Sequence, residues 1–143
     1  FSREVNSMIT TMRNDAQGKP WLIKDPRLCV FGKEYLKRMN NPVCILVYRD
    51  VLEVSTRMMG YNTLKESLSV KEFSEIWEEY MVASIASCVA LNAEIVYVPY
   101  TELETNPYGL VDKLLSDLKA VGVANLSPFS KEDLDAVING EEF

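Results

Sequence analysis

The 143-residue chain contains no histidine. The commonest general base and metal ligand is therefore missing, which excludes a Ser-His-Asp triad and a zinc-hydrolase centre. Glycine is scarce, with six residues in all, and none of them belongs to a phosphate-cradling loop such as GxxxxGK[ST]. Positive charge is also in short supply: 15 Lys and Arg face 21 Asp and Glu, a formal charge of −6. General nucleic-acid binding needs a basic face that displaces counterions, so this balance argues against it. An anionic ligand would have to be held by a local cationic cluster set against the overall field. No apolar run approaches the ~20 residues that span a bilayer.

Three cysteines, Cys29, Cys44 and Cys88, cannot all pair within one chain, and their spacing is not that of metal ligands. They are expected to be small reduced core residues, which points to a reducing compartment and a cytoplasmic location.

What is present describes one globular domain spanning residues 1–143, with 48% apolar and 25% charged residues. Such a length buries roughly 68–70% of its unfolded surface. Phe1, Val5, Met8, Ile9 and Met12 mark one helix face from the first residue. A helix that begins in mid-pattern, without a Met or a signal peptide, is read as a chain whose N-terminal part is missing.

The pattern predicts a helix over 2–17, stopped by Gly18 and Pro20, then a short buried strand at 21–24 (WLIK). A short helix is expected at 31–39, a turn at Asn40-Asn41-Pro42 and the strongest strand at Val43–Tyr48 (VCILVY). Helix follows over 52–59, a polar loop over 61–69 and the longest helix over 70–92. Glu94–Pro99 (EIVYVP) reads as a third strand. Asn106-Pro107 suits the cap and first position of a helix reaching Gly122, and Ser130 to Asp133 resembles a capping box before a last helix. Continuous apolar strands alternating with helices predict an α/β fold with a parallel sheet. Ligands of such sheets bind beyond the carboxyl ends of the strands, here Lys24-Asp25-Pro26-Arg27, Arg49-Asp50 and Tyr100-Thr101-Glu102.

Three segments in this order, WLIKDPRLCVF, PVCILVYRDVLEVSTRM and VYVPYTELETNP, resemble the sulfotransferase family, most closely its bacterial-type branch. The likeness covers residues 21–107. It implies a three-layer P-loop-type fold with a mostly parallel sheet, and sulfuryl transfer from 3′-phosphoadenosine 5′-phosphosulfate to a hydroxyl or amine, without a metal. It places Arg49 on the donor's 3′-phosphate, where a guanidinium fork matches phosphate oxygens and the next helix offers free N–H groups. The competing reading is an Arg49–Asp50 surface pair at the corner. The family's Ser eight residues after that Arg is Arg57 here, with Ser55 and Thr56 just before it, and its Pro is Val51. Arg57 either replaces the hydroxyl or is solvated, and Ser55 is a weaker candidate. Tyr100 would stand near the adenine, or pack at the sheet edge, and Glu102 keeps the family's second acid.

Many members carry a His after the equivalent of WLIK, where this chain has Lys24-Asp25. Lys24 could stabilise charge on the leaving group. Asp25 could accept the acceptor's proton or form a salt bridge with Arg27. The family's 5′-phosphosulfate loop would lie upstream of Phe1, so the sheet is expected to be N-terminally incomplete, with an open edge that invites self-association of two copies. The acceptor would be a carbohydrate or another small molecule. Two alternatives are a catalytically inactive binding or scaffold domain of the same fold and a P-loop nucleotide kinase-like phosphotransferase.

Overall fold

The computed structural model describes residues 1–60 and 68–139; the loop expected over 61–69 falls largely outside them. The elements run α1 (Ser2–Ala16), α2 (Leu28–Leu36), β1 (Val43–Tyr48), α3 (Val51–Gly60), α4 (Val70–Val89), β2 (Glu94–Pro99), α5 (Tyr100–Thr105), α6 (Pro107–Ala120) and α7 (Lys131–Ile138).

Strand β1 pairs with β2 in parallel, in a register from Val43 opposite Glu94 to Tyr48 opposite Pro99. Parallel neighbours require a crossover, and α3 and α4 supply it. Both strands are rich in β-branched residues, which fit a pleated surface covered by helices. Val96 and Val98 are buried while Tyr97, between them, is exposed.

The α/β sandwich expected from the pattern is not formed. Helix makes up 62% of the described residues and strand 9%, and the sheet has two strands, not the several of a three-layer P-loop fold. The segment 21–24 is the specific failure. It forms no strand, with Trp21 and Ile23 packed on the Val5, Ile9 and Tyr35 cluster and Leu22 67% exposed. That alternation is what a strand would show. A strand, however, exists only against a neighbour that completes its hydrogen-bond ladder, and the helices α1 and α2 offer side chains instead. Each strand of the pair keeps one edge without a strand neighbour among the described residues.

Helix ends follow local chemistry. Ser69 and Glu72 form a reciprocal capping box on α4, with Glu72 N–H donating to Ser69 Oγ at 3.2 Å and Ser69 N–H to the Glu72 carboxylate at 2.6 Å. Asn106 and Pro107 start α6 as expected. Ser130 Oγ accepts from Asp133 N–H at 3.0 Å, a single cap on α7 rather than a reciprocal box. Gln17 ends α1 in the left-handed region at φ 48°.

A disulfide joins Cys44 on β1 to Cys88 on α4, with Cα atoms 6.5 Å apart, inside the range that a disulfide bridges. The expectation of three reduced cysteines is corrected accordingly: Cys29 alone is free. The odd count hid the pairing, because only the packing of α4 beside β1 singles out two of the three. No helix of the described residues is long and apolar enough to cross a membrane.

Candidate functional site

The corner after β1 is built by two adjacent residues with different tasks. Asp50 caps α3: its Oδ1 accepts from Leu52 N–H at 2.9 Å and Glu53 N–H at 3.1 Å. Two N–H groups that the sequence left open for a phosphate are therefore already satisfied. Arg49 turns inward, its side chain only 12% exposed, and does not pair with Asp50 as the competing reading had it. Along α3 the charges alternate at one-turn spacing. The Glu53 carboxylate lies 2.5 Å from Arg49 Nη2 and 3.4 Å from Arg57 Nη2.

The second wall of the site comes from the end of β2. Because Tyr48 stands opposite Pro99, the residues that follow, Arg49 and Tyr100, leave the sheet side by side. The Arg49 guanidinium carbon sits 4.5 Å from the centre of the Tyr100 ring, a cation–π contact. One turn along α5, Glu104 brings both carboxylate oxygens to 3.1 and 3.0 Å from Arg49 Nη2. The hydrogen bond that Arg49 donates to Glu53, with the field of Glu104, holds Arg49 still more firmly protonated than usual. Reciprocally, Arg49 holds the Glu53 carboxyl below the ordinary range. The Arg49 Nε–H is buried and has no hydrogen-bond partner among the described residues.

The charges of this constellation are internally matched: two guanidinium groups, Arg49 and Arg57, meet two carboxylates, Glu53 and Glu104. A carboxylate and a phosphate present similar oxygen pairs to a guanidinium. Nothing in the cluster resembles metal ligation, and no group of His, Cys, Asp and Glu suited to a metal is found among the described residues.

The other residues singled out from the sequence fall in different places. Ser55 is fully buried where α3 crosses α4, its hydroxyl donating to Val51 O at 2.7 Å and meeting Ser74 Oγ at 3.1 Å. As placed, it faces a helix and not a ligand. Arg57 is exposed and reaches the site through Glu53. Lys24 lies exposed in the 21–24 segment, which ends no strand. The common rim expected for three strand ends is thus reduced to the ends of two.

Asp25 makes the local salt bridge that was its alternative role. Its carboxylate accepts from Arg27 Nε at 3.0 and 3.1 Å, from Arg27 Nη2 at 2.6 Å and from Arg27 N–H at 2.8 Å. The side-chain bond to Arg27 and then the backbone bond hold its pKa at about 2. A carboxylate so stabilised in its charged form is a poor proton acceptor.

Two members of the constellation were not foreseen. Glu53 was available to sequence reading, since it stands four residues after Arg49 at the start of a helical pattern. Glu104 was not, because α5 is only six residues long and lies 55 residues from Arg49. Comparison of the chain with protein-family models, with curated proteins and with solved structures returns no match.

Proposed function

We propose that this chain is a sulfotransferase-like domain that binds 3′-phosphoadenosine 5′-phosphosulfate through its 3′-phosphate at Arg49 and serves sulfuryl transfer to a hydroxyl or amine acceptor. The observation that carries the proposal is the Arg49 guanidinium, set inward at the carboxyl end of β1 and stacked on Tyr100 at the carboxyl end of the adjacent parallel strand. Carboxyl ends of parallel strands are where such sheets take ligands. A planar guanidinium suits phosphate, and the neighbouring ring offers the adenosine a face for stacking. The resemblance of the segments 42–58 and 96–107 supplies the nucleotide's identity.

In this proposal the acceptor oxygen or nitrogen forms a bond to sulfur as the sulfur–oxygen bond to the 5′-phosphate breaks. The products are the sulfated acceptor and adenosine 3′,5′-bisphosphate, and the acceptor's proton passes to solvent. Arg49, Arg57 and Tyr100 hold the donor. Asp25 is left out of the proton transfer by its bonds to Arg27, and Ser55 is left out by its place between α3 and α4. The acceptor is a carbohydrate or another small molecule, and pairing of two copies along a free strand edge remains part of the proposal.

Thermal melting with added nucleotides tests it. Adenosine 3′,5′-bisphosphate is expected to raise the melting temperature and adenosine 5′-monophosphate to leave it unchanged. Equal effects of the two would remove the 3′-phosphate from the account. No effect of either would favour an inactive scaffold, and stabilisation confined to ATP with magnesium would favour a phosphotransferase.

A further inference from the structure

The guanidinium proposed to receive the 3′-phosphate already carries a ligand of the right shape, supplied by the chain. We infer that Glu104 is an exchangeable internal counter-ion of Arg49, a carboxylate that a phosphate monoester must expel to reach the site. The inference rests on the proposed role of Arg49 and adds the residue that sets the site's anion affinity.

Arg49 has two acidic partners, and the geometry distinguishes them. Glu53 belongs to the same helix as the strand–helix corner, its N–H is fixed by Asp50, and its carboxylate is shared with Arg57. Moving its side chain would break two ion pairs at once. Among the described residues Glu104 forms an ion pair with Arg49 alone, and it is the more exposed of the two, 44% against 35%. It is carried by α5, a helix of six residues with no side-chain cap at its start. The helix ends at Asn106, whose φ of −147° is far from helical. A change of side-chain rotamer therefore suffices to release Glu104, and α3 stays in place.

The charge arithmetic gives the same direction. With Glu104 in contact, the set of Arg49, Arg57, Glu53 and Glu104 sums to zero. With Glu104 swung into solvent, the remaining three carry one net positive charge, while Glu53 still orients the guanidinium. Two open depressions of the described surface, one beside Met12 and Trp21 and one beside Tyr97 and Lys113, are not lined by Arg49. With Glu104 seated on the Arg49 guanidinium, an anion reaches that group by displacing a side chain.

Calorimetric titration of the wild type, Glu104→Ala and Glu53→Ala with adenosine 3′,5′-bisphosphate and with inorganic phosphate tests this, with melting curves to verify that each variant is folded. Glu104→Ala is expected to bind the bisphosphate more tightly, by roughly two- to fivefold, the worth of one partly exposed charge pair. Glu53→Ala is expected to bind it more weakly, because the guanidinium loses its fixed support. Bisphosphate binding that is unchanged or weaker in Glu104→Ala, with the wild type binding normally, overturns the counter-ion role and leaves the donor site standing. A gain for inorganic phosphate with no binding of the bisphosphate by any form upholds the counter-ion role and overturns the nucleotide. No binding of either ligand by any form overturns both.

Discussion

The hydroxyls of Ser55 and Ser74 meet at 3.1 Å where α3 crosses α4, and Ser55 is fully buried there. Each hydroxyl also lies within hydrogen-bond distance of the carbonyl one turn back in its own helix, Ser55 of Val51 at 2.7 Å and Ser74 of Val70 at 2.8 Å. Each has a single proton, so with Ser55 donating to Val51 the Ser74 proton goes either to Ser55 Oγ or to Val70 O. Small residues at this crossing let the two backbones approach. Ser55→Ala is expected to lower stability by about 1 kcal/mol, the net worth of one hydrogen bond, and to leave nucleotide affinity unchanged. Ser55→Leu is expected to cost more, because a large side chain has no room in the crossing. Chemical denaturation read beside a nucleotide titration separates the two roles. A loss of affinity in a fully folded Ser55→Ala protein would return this hydroxyl to the binding site.

Arg49 is both the proposed ligand group and the bolt between β1, α3 and α5, so its removal should have two effects. Arg49→Lys keeps the charge but loses the planar fork. It is expected to weaken adenosine 3′,5′-bisphosphate binding about tenfold or more with a small change in melting temperature. Arg49→Ala leaves the Glu53 and Glu104 carboxylates facing each other without a cation. Its melting temperature is expected to fall by several degrees, and Glu104→Ala in the same chain should recover part of the fall while affinity stays lost. Thermal melts of the two single variants and the double variant check this. Independent, additive effects would mean that the two carboxylates do not share the guanidinium.

The acid limb of the stability profile follows from the same kind of contact elsewhere. Asp25 titrates at about 2 in the folded chain against ~3.9 for an ordinary Asp. A carboxyl with a lowered folded pKa contributes stability that is complete above its unfolded value and disappears as pH falls towards the folded one. Glu34, Glu53 and Glu72 are lowered as well, through Lys37, Arg49 and the Ser69 cap respectively. Melting temperature is therefore expected to hold from neutrality to about pH 5 and to fall steadily from about pH 4 to pH 2. Asp25→Asn should flatten the lower part of that fall. An unchanged slope between pH 4 and pH 2 would show that the Arg27 contacts do not act on Asp25.

How far the fold could be read depended on whether the cause was local. The strands β1 and β2 and the helices α4 and α6 were legible, because VCILVY and EIVYVP are compact apolar runs, because 70–92 is a long helical pattern and because Asn106 and Pro107 are chain punctuation that acts over a few residues. WLIK has the same local pattern as a strand and became an unpaired segment. Its fate was decided by the helices α1 and α2, against which Trp21 and Ile23 pack, and no property of the four residues encodes that neighbour. Helix α5 was missed for the opposite reason, since YTELET carries too few apolar residues to show a period. The position of Arg49 at a strand end was readable. Its burial under Glu104 and Tyr100 was not, because both belong to the far end of β2.

Gly109 offers a test in which helix propensity alone would mislead. It is the third residue of α6, and its N–H donates to the capping Asn106 Oδ1 at 3.2 Å. A Cβ at this position would stand 2.3 Å from Asn106 Nδ2 and 2.9 Å from Asn106 Oδ1. Alanine is favoured over glycine inside a helix by about 1 kcal/mol, but here it would push the cap aside, which costs ~1 kcal/mol. Gly109→Ala alone is expected to change stability little. In a chain that already carries Asn106→Ala the same change should stabilise by up to about 1 kcal/mol. A double-mutant cycle by denaturant unfolding measures the coupling, and equal effects of Gly109→Ala in both backgrounds would show that the cap does not occupy that space.

The Cys44–Cys88 bond closes a sequence separation of 44 residues and ties the start of β1 to the end of α4. Those residues include α3 and its partner helix, so the bond also fixes the corner from which Arg49 and Glu53 reach into the site. Cross-linking a loop of this size stabilises mainly by restricting the unfolded chain, by about 2–4 kcal/mol. Thiol titration of the unfolded, non-reduced protein is expected to find one free thiol, that of Cys29, and three after reduction. Reduction should lower the melting temperature, and Cys44→Ser with Cys88→Ser together should reproduce the drop and make the protein indifferent to reductant. Cys29→Ser should do neither, because that thiol stands apart from the bond. Three thiols in the non-reduced protein, or a melting temperature untouched by reductant, would remove the cross-link from the account of this corner, and the support of Arg49 would then rest on Asp50, Glu53 and Glu104 alone.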